Sequence, residues 1–73
     1  MTEVQELHER FKALKFIQTR AIYEYTGYSK YAVHQYLNDT LDAPAKFVER
    51  FRMLVEEGEH MDKVLKKHLP LIA

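Results

Sequence analysis

Residues 22–38 read IYEYTGYSKYAVHQYLN, and the reading of this stretch decides the fold. All five tyrosines of the chain, Tyr23, Tyr25, Tyr28, Tyr31 and Tyr36, fall inside it, together with Gly27, one of only two glycines. Ile22 and Thr26 lie four apart, on one face of a short helix that Thr19 is placed to cap. Gly27 ends that helix, because a residue just past a helix end often needs positive φ, which glycine adopts without steric cost. Ser29 then caps a further helix reaching to about Asn38, with Val33, Tyr36 and Leu37 inward. Two short helices sharing the joint Thr26-Gly27-Tyr28-Ser29, with apolar residues at fixed offsets on either side, form a helix-turn-helix.

The flanking sequence is helical in both directions. Thr2 followed by Gln5 is a capping box, and Val4, Leu7, Phe11 and Leu14 share one face, which predicts a helix from about Thr2 to Lys15. Phe16-Ile17-Gln18 is a tight connection. After the third helix, Asn38-Asp39-Thr40 is a turn. Asp42 and Pro44 announce a fourth helix, since proline is tolerated only in a first turn. Its apolar stripe is Phe47, Val48, Phe51, Leu54 and Val55, and Gly58 closes it. A fifth amphipathic helix, roughly Glu59 to Leu69, carries Met61, Val64, Leu65 and Leu69. Pro70 stops it before the apolar tail Leu71-Ile72-Ala73. The expected fold is all-α, a compact bundle of about five short helices with the helix-turn-helix at helices 2 and 3, and residues 1–73 form a single domain.

Composition sets the outer limits. A chain of 73 residues buries only about 60% of the surface its unfolded form exposes, so its margin of stability is small. There is no cysteine, which excludes disulfides and thiol chemistry. No apolar run approaches the ~20 residues that span a bilayer, and MTEVQELHERF does not resemble a signal peptide. The expectation is a soluble cytoplasmic protein with no membrane association. Eleven basic residues balance eleven acidic ones, whereas nucleic-acid binders usually carry a basic excess.

The stretch resembles the lambda-repressor-like helix-turn-helix family, which includes phage repressors and lactose-repressor-type headpieces. IYEYTGYS is similar to that family's run of an aliphatic residue, Ala, Glu, two variable residues, Gly, an aliphatic residue and Ser. VHQYLN is similar to its frequent VSRYLN, and APAKFVERFRML to its fourth helix. The resemblance covers about residues 2–57. Tyr23 stands where the family has alanine, because the two helices nearly touch there, and Tyr28 stands where it has an aliphatic residue. A phenol in an alanine-sized gap implies either strain of ~1–3 kcal/mol or a changed interhelical angle.

What the resemblance implies is a small transcriptional regulator whose third helix lies in the major groove of duplex DNA. The outward positions Ser29, Lys30, Tyr31, His34, Gln35 and Asn38 would then meet the duplex. Gln35 suits adenine, Lys30 guanine or phosphate, and Ser29 a backbone phosphate. Thr19 and Arg20 sit where the family clamps a phosphate. The alternative is a regulatory interaction module that keeps the fold and binds another protein, such as a repressor, without reading DNA strongly. Even charge, Tyr23 in the alanine position and the exposed tyrosines point that way, since rigid aromatics dominate protein contact surfaces. A homodimer through the fifth helix is a further possibility.

Enzymatic chemistry is not expected. His8, His34, His60 and His68 form no pair at i,i+3 or i,i+4, there are no cysteines, and no cofactor or metal is called for. No phosphate-cradling loop and no nucleophile motif is present.

Overall fold

The chain runs α1 (Glu3–Lys12), α2 (Arg20–Thr26), α3 (Lys30–Leu37) and α4 (Ala45–His68), as seen in a computed structural model that describes residues 2–68. Among the described residues there is no strand. No helix among them is long and apolar enough to cross a membrane.

The start of α1 follows the capping box. Thr2 Oγ1 accepts from the Gln5 amide at 3.2 Å, and the Thr2 amide donates to Gln5 Oε1 at 3.3 Å. Val4, Leu7 and Phe11 are buried from this helix. It ends three residues earlier than the apolar spacing predicts. The chain tightens there, with the Leu14 amide donating to Phe11 O at 2.9 Å, and Leu14 reaches the core from the connection instead of from the helix.

The main departure from expectation is the number of helices among the described residues, four instead of five. Gly58 does not end a helix. It lies buried within α4, which continues to His68 as one helix of 24 residues. The reason is packing. A Cβ at Gly58 would meet Leu14 Cδ1 at 2.7 Å and Ile17 Cδ1 at 2.9 Å, so glycine is there to let the α1–α2 connection lie against α4. Strong helix formers on both sides, Glu56, Glu57, Glu59 and Met61, carry the backbone through at a cost of about 1 kcal/mol relative to alanine. At the other end, α4 begins at Ala45, directly after Pro44, whose carbonyl accepts from the Val48 amide at 3.1 Å.

The core is a seam along α4. Phe47, Phe51 and Val55 are fully buried, facing Leu7 and Phe11 of α1, Ile22 of α2 and Val33 of α3. An aromatic chain runs through it. The Phe47 ring lies 5.6 Å from Phe51, 4.9 Å from Tyr36 and 5.5 Å, edge-on, from Tyr28, and Phe51 lies 6.0 Å from Phe11. Each such pair adds about 0.5–1.5 kcal/mol beyond the area it buries. Two arginine–carboxylate bridges link α1 to α4, Arg52 with Glu3 and Arg10 with Glu59, the latter at 2.5 Å. Because Glu3 meets Arg52 and Arg10 meets Glu59, the two helices run parallel. At about 1.5 Å per residue α4 is some 36 Å long, which accounts for the longest dimension of the molecule, 42 Å against 24 and 17 Å.

The predicted fifth-helix residues therefore belong to the far half of α4. Met61 is 48% exposed, and Val64 and Leu65 are half-buried. Leu69, the Pro70 stop and the tail Leu71-Ile72-Ala73 lie outside the described residues.

Candidate functional site

The α2–α3 joint is built from local hydrogen bonds and one long-range clamp. Gly27 takes φ 78° and ψ 9°, the left-handed conformation its position calls for, and its amide donates to Tyr23 O at 3.0 Å. Thr26 is fully buried, and its hydroxyl donates to Ile22 O at 2.5 Å while accepting from the Tyr28 amide at 3.4 Å. Arg50, from α4, donates from Nη1 to Thr26 O at 2.8 Å. A guanidinium thus satisfies a carbonyl at the end of α2 that no helical amide reaches. Ser29 Oγ accepts from the Ala32 amide at 3.2 Å, the capping its position predicts.

Thr19 is a correction. It occupies the residue before α2, but its backbone is already helical, with φ −55° and ψ −30°, and its side chain makes no capping bond. A capping hydroxyl needs an extended backbone to turn back on the helix. Thr19 is exposed instead, and its carbonyl accepts from the Ile22 amide at 2.9 Å.

At 3.6 residues per turn, Val33, Tyr36 and Leu37 fix the inward side of α3. Val33 and Leu37 are buried, and Tyr36 packs on Phe47. Tyr31, Gln35 and Asn38 fall on the opposite side, with Lys30 and His34 along one flank. Tyr31 is 73% exposed. Lys30, His34 and Asn38 are exposed too.

Besides Ser29, whose hydroxyl caps α3, three of the candidate residues are already engaged. Gln35 is half-buried, and its side-chain oxygen accepts from the Thr40 hydroxyl, which also donates to Gln35 O at 3.0 Å. Arg20 Nε lies 3.2 Å from Glu24 Oε1, one turn along α2. His34 Nε2 lies 2.8 Å from the Tyr23 hydroxyl. That last contact places the Tyr23 phenol between α2 and α3. Tyr23 is half-buried, with its ring packed against the core cluster and 5.9 Å from the His34 ring, so its bulk runs along the α2–α3 boundary and ends on a polar partner. Tyr25, on the same helix, is 40% exposed.

Burial pushes the His8 pKa below the ordinary 6.5, and Lys12 and His34 add to the lowering against an opposing pull from Glu9. Among the described residues no three His, Asp or Glu side chains come together as a metal ion requires.

Two contributors escaped sequence reading. Arg50 has no local signal, since the carbonyl it clamps is 24 positions away. Thr40 is legible as a turn residue but not as the group that holds Gln35. Tyr28, at the position where the resembled family has an aliphatic residue, is half-buried with its ring edge-on to Phe47 and to Tyr36 at 5.8 Å.

The chain matches no protein-family model, no curated protein and no solved structure. The resemblance of about residues 2–57 to the lambda-repressor-like family therefore stands on the sequence alone.

Proposed function

We propose that the protein is a small helix-turn-helix regulator that binds duplex DNA, with α3 in the major groove. The observation that carries this reading is the division of α3. Val33 and Leu37 anchor it in the core, while Lys30, Tyr31, His34 and Asn38 stand clear of it. The joint that sets its angle is held by Gly27, Thr26 and Arg50.

The roles follow from side-chain chemistry. Lys30, the only full positive charge on α3, meets a phosphate or guanine. Arg20 exchanges Glu24 for a phosphate, a cheap exchange because exposed pairs contribute about 0–1 kcal/mol. Gln35, with its oxygen held by Thr40, keeps its amide donors free for a base-edge acceptor. Bidentate pairing with adenine uses the second lone pair of that oxygen, or replaces its bond to Thr40.

A second reading is favoured by a specific observation. Arg20 is neutralised by Glu24, leaving little positive potential on this face, and Tyr31 is the most exposed of the large hydrophobic side chains identified. An exposed tyrosine on a nearly neutral surface suits a protein partner, such as a repressor. The test is fluorescence anisotropy of a labelled duplex titrated with the protein at low and at raised salt. Micromolar binding that falls steeply with salt supports DNA binding, because phosphate neutralisation releases counterions. Absence of binding at low salt rejects it in favour of the protein partner.

A further inference from the structure

We propose that α4 pairs with α4 of a second copy of this chain, antiparallel, about a two-fold axis at His60–Met61. The face involved is turned away from the buried Phe47–Phe51–Val55–Gly58 seam, with Met61 at its margin nearest that seam. On it Met53 and Met61 are 47% and 48% exposed, and with Glu56, Glu57 and His60 they line a shallow depression. Val64, one turn on from His60, is half-buried and extends the apolar strip.

Charge selects both the occupant and its direction. Along this face the acidic pair Glu56-Glu57 precedes the apolar centre, and Lys63 and Lys67 follow it. Among the described residues none of these four takes part in an ion pair, whereas Lys66, on another side of the helix, is bridged to Asp62 at 3.1 Å. At 3.6 residues per turn, Glu56, Lys63 and Lys67 share one edge of the strip. An antiparallel two-fold keeps like edges together. It sets Glu56 of one copy opposite the interval between Lys63 and Lys67 of the other, two residues or about 3 Å of rise from each. The same contact is made twice. A parallel two-fold puts like edges on opposite sides and brings Glu56 of one copy level with Glu57 of the other, which like-charge repulsion opposes. The face is self-complementary in one orientation only, as a two-fold interface requires.

This inference does not depend on DNA binding and is tested without DNA. In sedimentation equilibrium from low micromolar to near-millimolar protein, the expected mass rises from 8.7 kDa towards twice that value. Met61→Glu, at a position exposed in the monomer, is expected to weaken the dimer about tenfold or more. Glu56→Lys is expected to weaken it as well, and adding Lys63→Glu and Lys67→Glu to Glu56→Lys is expected to restore it. Circular dichroism of each variant separates loss of pairing from loss of fold. A monomer at every concentration overturns the proposal, and so does a dimer that Met61→Glu leaves unchanged or that the triple charge swap fails to restore.

Discussion

Arg50 Nη1 donates a 2.8 Å hydrogen bond to the carbonyl of Thr26, tying the long helix to the corner between the two short ones. The bond runs from a half-buried guanidinium to an acceptor on a fully buried residue, where an unmet carbonyl is costly. Arg50→Met keeps the aliphatic stem and removes the donor. The expected loss is about 1.5 kcal/mol, the low end for bonds from charged groups. In urea the midpoint falls while the slope is unchanged. An unchanged midpoint removes Arg50 from the joint.

Gly58 predicts an unusual response to alanine. A mid-helix Gly→Ala change ordinarily stabilises by about 1 kcal/mol. Here the new methyl meets Leu14 Cδ1 and Ile17 Cδ1 within 2.9 Å, and overpacking costs about 1–3 kcal/mol. Gly58→Ala is therefore expected to give no gain in thermal midpoint, and Gly58→Leu a clear loss. A full alanine gain shows that the connection does not press on α4.

Stability is expected to fall on mild acidification, through His8. Its pKa in the folded chain lies below the ordinary 6.5, so below pH 6.5 the unfolded chain takes up more protons than the folded one. The contribution is complete above 6.5 and is lost as pH falls through the folded value. Glu59, whose carboxyl the Arg10 guanidinium holds below the usual 4.5, acts with the same sign in a more acidic window. Urea midpoints at about pH 7.5 and about pH 5.5 isolate the His8 window. His8→Gln is expected to shrink the difference, and a midpoint that rises on acidification contradicts the assignment.

On DNA, the α3 variants separate by kind. Arg20→Ala weakens all sequences alike and lowers the salt slope by about one; Lys30→Ala does the same if Lys30 meets phosphate, and relaxes preference at one position if it meets guanine. Gln35→Ala costs about 1–3 kcal/mol at the preferred site and relaxes preference there. Thr40→Ala is the control, because it frees the Gln35 oxygen without removing the side chain. If Gln35 reads adenine with both groups, Thr40→Ala binds that site no worse, and a loss equal to that of Gln35→Ala points to a structural role for the pair. For a protein partner these changes matter little, while Tyr31→Ala abolishes capture.

Sequence periodicity captured what local chemistry governs. The capping box at Thr2, the left-handed Gly27, the Ser29 cap and the burial of Ile22, Thr26, Val33 and Leu37 all depend on residues a few positions apart, and all are present. Gly58 was misread because a glycine between amphipathic runs has two causes, a helix end or a close approach. Only the position of Leu14 and Ile17 distinguishes them. The same limit hid Arg50 on Thr26 and the contact of Tyr23 with His34, which depend on how helices meet. The outward set on α3 was legible from its spacing, but the engagement of Gln35 by Thr40 was not, since it depends on how the chain turns at Asp39, with φ 61°.

The most direct measurement is an amide-resolved NMR titration of the isotope-labelled protein with a short duplex at low salt. Binding through α3 predicts that the amides of Ser29, Lys30, Tyr31 and His34 shift most, with Thr19 and Arg20 next and the core residues of α4 least. Shifts confined to Met53–Lys67, or none at all, contradict duplex recognition by α3.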